Sequence, residues 1–160
     1  MFENLVFPFP EVNDEKSDFT INPHPYFRGA PDVEGSKFTA IYETITKPVF
    51  AERSPRFHNG DLYLIFLAGN FPHVFDWDAE IDLSIGLYGE DEERYTITQP
   101  TIIRIPAGVW YCPMNFRVVN KPVMVEAFLM DEELVGYFNS PTAQKLKMRY
   151  NEPGRWEMLN

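Results

Sequence analysis

The chain has 160 residues, 44% apolar and 16% aromatic, with one cysteine and a formal net charge of −10. That length suits one domain with a sizeable core, and the apolar content excludes a disordered chain, which lacks the surface to offset its ordering entropy. The negative charge disfavours nucleic acid and anionic membranes as partners, a lone Cys112 excludes an internal disulfide, and no apolar run approaches the ~18 residues of a membrane helix.

Residues 1–36 are rich in Pro, Asn and Asp without periodicity and read as an irregular N-terminal arm. The first eight residues lack a cationic region and carry an early proline, unlike a signal peptide, so the expected location is the cytoplasm. From residue 38 the pattern becomes short β-type runs divided by turn residues. They cover 38–46, 49–58, 62–68, 81–87, 95–98, 101–105, 116–119 and 123–130. The run 62–68 is almost purely apolar, and 81–87 alternates strictly, which marks a strand with two unlike faces. Between them and the next run, Gly89 to Glu93 reads as a charged turn. Eight such runs predict an all-β sandwich or barrel over 37–130. Helical pattern is confined to 131–160: acid at Asp131, Glu132 and Glu133 precedes Leu134, Val135 and Phe138 on one face, and a second short helix is expected at 142–148.

The most informative segment is Pro106-Ala107-Gly108-Val109-Trp110-Tyr111-Cys112-Pro113-Met114-Asn115. Pro-x-Gly closes the run 101–105 and re-aims the next strand. This resembles the second motif of the cupin superfamily, Gly-x5-Pro-x-Gly-x2-His-x3-Asn. Pro106, Gly108 and Asn115 match; Pro100 stands for the leading Gly and Tyr111 for the His. The first cupin motif, His-x-His-x3–4-Glu-x6-Gly, is similar to the spacing of Arg56, His58, Leu62 and Gly69. There only His58 and Gly69 keep the residue type. Beyond the motifs, 64–70, 80–93 and 98–122 resemble uncharacterised bacterial single-domain cupins.

The resemblance implies a cupin-like antiparallel β-barrel, or jelly roll, whose interior receives three His and a Glu as ligands of a divalent metal. Positions 56, 58 and 62 have one strand parity and so share a face. Of the four ligand positions, His58 alone is retained. The expected function is therefore binding of a small molecule, an anion being one candidate, inside the barrel through Arg56, His58, Trp110 and Tyr111, with no cofactor. Guanidinium is always protonated and cannot ligate a metal, but it holds a carboxylate or phosphate in a bidentate way. The alternative is a metal-dependent dioxygenase or isomerase in which His58, with Glu80 or Asp82, holds a divalent ion. Asp76, Asp78, Asp82 and Gly89 offer a second fit to the first motif, with oxygen ligands suited to Mg, Ca or Mn. Cys112, next to Tyr111, is expected to point away from the interior. The apolar outer positions Tyr63, Ile65 and Leu67 predict a homodimer.

Overall fold

In a computed structural model, which describes residues 2–88, 92–139, 145–152 and 155–159, the described residues form fourteen strands and one short 3-10 helix at Glu3–Leu5. In chain order they are β1 (Glu11–Val12), β2 (His24–Phe27), β3 (Thr39–Ile45), β4 (Val49–Glu52), β5 (Arg56–Phe57), β6 (Leu62–Ala68) and β7 (Ala79–Ile85). Then come β8 (Glu93–Ile97), β9 (Thr101–Ile105), β10 (Tyr111–Val119), β11 (Val123–Leu129), β12 (Val135–Asn139), β13 (Lys145–Glu152) and β14 (Arg155–Met158). All strand pairings are antiparallel.

The strands form two sheets. One has the order β1-β2-β3-β11-β6-β9; the other runs β14-β13-β12-β5-β10-β7-β8, with β4 also paired to β10. Each sheet alternates inward apolar and outward mixed residues, and the inward sets meet in one core. On β6, Leu62, Leu64, Phe66 and Ala68 are buried while Tyr63, Ile65 and Leu67 are only partly so. On the opposing sheet Ile81, Leu83 and Phe116 are almost wholly buried. Each large apolar side chain sunk there contributes about 1.5–3 kcal/mol. This is the expected all-β, jelly-roll architecture, and β6 and β9 lie where the sequence pattern places them.

The run 49–58 divides into β4 and β5, the run 116–119 extends back to Tyr111, and two further segments differ in kind. The N-terminal arm is not wholly irregular: β1 and β2 extend the six-stranded sheet past β3, and Val12, His24 and Tyr26 are buried there. The C-terminal helices are not formed. The acidic residues 131–133 make a bend, and β12, β13 and β14 follow. Gly136, Tyr137 and Phe138 favour this outcome, because glycine weakens a helix interior and aromatic residues suit a pleated surface. Residues 142–144 of the second expected helix lie outside the described residues, while 145–148 belong to β13. Gly89, Glu90 and Asp91 of the expected turn also lie outside them.

Candidate functional site

The Pro106-Ala107-Gly108 turn sets the geometry. Gly108 takes φ 81°, a left-handed conformation that suits glycine, and its N–H donates to the His58 carbonyl at 2.8 Å. Asp61 braces the same turn: one carboxyl oxygen accepts the Ala107 N–H at 3.0 Å and the other accepts Arg104 at 2.7 Å. The turn thereby locks the end of β9 to the segment after β5, and β10 starts at Tyr111, directly across from Arg56. Gly69 closes the other end of β6. Its N–H donates to the Pro122 carbonyl, and a Cβ there would meet Thr44 at 2.9 Å.

His58 and Tyr111 meet inside. His58 Nδ1–H donates to the Val135 carbonyl at 2.7 Å, which leaves Nε2 to accept the Tyr111 O–H at 2.6 Å. Burial lowers the His58 pKa to about 4; the Val135 hydrogen bond opposes this and the Arg56 charge adds to it. Burial likewise pushes the Tyr111 phenol well above its ordinary value. The pair is therefore neutral imidazole and neutral phenol near pH 7.

Arg56 is 3% exposed. Its Nη2 lies 2.6 Å from Glu52 Oε2, and Nε and Nη2 donate to the Ser54 carbonyl at 3.1 and 2.8 Å. The guanidinium carbon sits 4.9 Å from both the Phe138 and Trp156 ring centres. Its acid partner is thus Glu52, four residues upstream.

Beside Arg56 a partly open cavity of about 80 Å³ lies between the two sheets, with Glu43, Glu52, Arg56, Tyr111, Cys112 and Tyr150 as its polar lining. Leu62, Leu64, Phe116 and Val125 are among its apolar walls. Glu43 shares the inward parity of Ile41 and Ile45, so the surface it keeps faces this space. Tyr150 O–H donates to Glu43 Oε1 at 2.9 Å. Burial pushes the Glu43 carboxyl up to about 7, the Tyr150 hydrogen bond restrains it, and the charges of Glu52 and Asp14 raise it further. Behind it, Tyr26 O–H donates to the Tyr150 carbonyl at 2.5 Å.

Several sequence-based expectations need correction. Trp110 does not line the cavity. It precedes Tyr111 and faces the other side of the sheet, edge-on to Phe57 at 5.0 Å and Tyr88 at 4.9 Å. Glu80 and Asp82 also face outward, since Ile81 and Leu83 between and beside them are core. Arg117 bridges both, at 2.7 Å to Glu80 and 3.1 Å to Asp82, so neither reaches His58. Asp76 pairs with Lys121 and Asp78 with Asn120, which disperses the alternative carboxylate set; its Gly89 lies outside the described residues. Cys112 is buried and lines the cavity instead of pointing away. The register shifts between Tyr111 and Met114, and Cys112 takes φ 75°, so alternation fails locally. Burial pushes its thiol up to about 12.

The donor set does not fit a divalent metal. Among the four cupin ligand positions, Arg56 is a cation, Leu62 has no donor atom, and His58 and Tyr111 are spent on each other. Among the described residues no group of three or more His, Cys, Asp or Glu is placed to hold an ion. The residues that sequence reasoning missed are Glu43, Glu52 and Tyr150. Glu43 carried a usable signal, a carboxylate in phase with the buried isoleucines of its strand.

No protein-family model and no curated protein sequence matches the chain. Solved structures do. Vicilin from hazelnut, Corylus avellana, superposes with a TM-score of 0.50 at 16% identity, over 94% of this chain and 34% of the vicilin chain. Oxalate decarboxylase from Bacillus subtilis, described with Mn(II) centres, gives a TM-score of 0.54 at 9% identity, over 79% of this chain and 30% of its own. The chain thus spans about a third of the length of these neighbours. No helix among the described residues is long and apolar enough to cross a membrane. At these identities the likeness speaks for architecture alone: the chain has the fold of the cupin superfamily.

Proposed function

We propose that this is a binding protein that holds a small molecule between its two sheets without a conventional metal centre. The observation that carries the reading is the cavity beside Arg56, where a few polar groups converge among apolar walls, the usual make-up of a ligand site. Its volume of about 80 Å³ admits a few waters or a ligand of about four heavy atoms. A filled, purely structural interior would leave no such space. The anionic ligand expected from Arg56 loses support, because Glu52 already neutralises the guanidinium at 2.6 Å.

Thermal-shift measurements with a set of small alcohols, amines, acids and amides test this. At least one should raise the Tm of the wild-type chain and leave an Ala127→Phe variant, whose ring fills the cavity, unmoved. A set in which no compound separates the two proteins sinks the reading.

The reading includes a homodimer. Tyr63, Ile65 and Leu67 are only partly buried on the outer face of β6, and Ile102, opposite Ile65 on β9, is 65% exposed. Such a contiguous apolar strip is the kind of surface that pairs with another copy.

A further inference from the structure

The charges around the cavity do not balance. Arg56 and Glu52 cancel at 2.6 Å. Tyr111, Tyr150 and Cys112 are held protonated by burial and add no charge. Glu43 remains. Among the described residues its one hydrogen bond comes from Tyr150 Oη, and no basic side chain forms an ion pair with it. The groups that face it are Tyr150 from β13, Glu52 from β4, Asp14 from the arm and Arg56 across the cavity; Arg56 is committed to Glu52. A carboxylate without a counter-ion in an apolar site is costly, whereas the same group beside a cation is stable. The walls add the aromatic rings of Tyr111, Phe116 and Trp156, and Arg56 already lies over Tyr111 at 5.9 Å and Trp156 at 4.9 Å.

From this imbalance we propose that the cavity selects a small alkylammonium ion, its head on Glu43 and its alkyl body against Leu64, Phe116 and Val125. The proposal rests on the reading of the cavity as a ligand site and names the chemical class that site takes. An anion of the same size meets two carboxylates and a guanidinium already neutralised. A neutral alcohol fits the space but leaves Glu43 uncompensated.

The head of the ligand also replaces a proton. Glu43, with a pKa near 7, is about one-tenth ionised at pH 6 and nine-tenths at pH 8. A primary alkylammonium group, with a pKa near 10.4 like that of Lys, stays charged throughout. Affinity for the cation therefore rises about tenfold from pH 6 to pH 8, with release of the Glu43 proton. Affinity for a carboxylate probe moves the other way.

NMR titration of the full chain with n-propylammonium, propan-1-ol and propionate, at pH 6 and pH 8, decides the matter. The expected result is preference for the ammonium by at least tenfold at pH 8, with the pH dependence above. In Glu43→Gln that preference and its pH dependence vanish while propan-1-ol binding persists. Should the variant not fold, the Glu43 carboxyl carbon of the wild-type chain gives the same answer: n-propylammonium lowers its titration midpoint. Equal or tighter binding of propan-1-ol or propionate at pH 8 overturns the charge inference and leaves the cavity reading standing. Silence from all three probes overturns the ammonium proposal, and the Ala127→Phe comparison with the wider set then separately decides the cavity reading.

Discussion

His58 Nε2 accepts a hydrogen bond from the Tyr111 phenol at 2.6 Å, and that single contact makes the two side chains a closed pair. Removing the hydroxyl with Tyr111→Phe leaves Nε2 buried without a donor. An orphaned buried acceptor costs about 1–3 kcal/mol, so the Tm should fall by several degrees. Tyr111→Phe with no loss in chemical denaturation would mean that the pair is not formed in solution.

The extent to which this pair and its surroundings were readable differs by element. β6 and β9 match expectation residue for residue because an apolar run bounded by turn residues is a local signal. Motif spacing singles out Arg56 and Tyr111, and in the fold they are register partners on β5 and β10. Trp110 departs from expectation for a reason that strand alternation supplies: a neighbour of an inward residue points out. Cys112 is the reverse, since the irregular register after Tyr111 cancels the alternation rule. The C-terminal strands were hidden for a different reason. The acids at 131–133 mimic a helix start, and what draws 135–139 into a sheet is pairing to β5 and β13, a long-range term that no local period encodes. Tyr150 and Trp156 were lost with them.

The pH dependence of stability follows from two buried groups with opposite signs. His58 has a folded pKa of about 4 against about 6.5 unfolded, so between those values the unfolded chain binds more protons and stability rises with pH. Glu43 has a folded pKa of about 7 against about 4.3 unfolded, so between those values the native chain binds more protons and stability falls as pH rises. Each slope is at most about 1.4 kcal/mol per pH unit, and from about pH 4.5 to 6.5 the two oppose each other. Glu43→Gln should expose the His58 slope, with stability climbing toward neutral pH. Urea denaturation of both proteins at half-unit pH intervals would show it. A variant as flat as the wild type contradicts the assignment.

Arg56 and Glu52 form a buried pair whose halves depend on each other. Arg56→Met strands the Glu52 carboxylate next to the cavity and removes the guanidinium that lies over Phe138 and Trp156. Breaking one half of such a pair costs about 3–5 kcal/mol, whereas replacing both by apolar groups is often neutral. The double variant Arg56→Met with Glu52→Leu should therefore be more stable than Arg56→Met alone. Additive losses in the double-variant cycle would show that the two charges act independently.

The outer face of the six-stranded sheet is covered unevenly, and its barer side is the contact proposed for the dimer. Phe9 of the arm packs edge-on against Tyr42 at 5.8 Å, and Tyr42 against Phe128 at 5.6 Å, so the arm shields the β3 and β11 side. On the β6 and β9 side Ile65 is only half-buried, and Ile102, its register partner, is largely exposed. β9 is also the edge strand of its sheet, with backbone groups available to a partner. Ile102→Lys places a charge in the middle of this strip and cannot disturb the core, because the side chain already points to solvent. Light scattering after size exclusion should report a dimer for the wild-type chain and a monomer for Ile102→Lys, which keeps a cooperative melt but loses the stabilisation that association gives the wild type. A monomeric wild type, or a variant that stays dimeric, would remove this face as the contact.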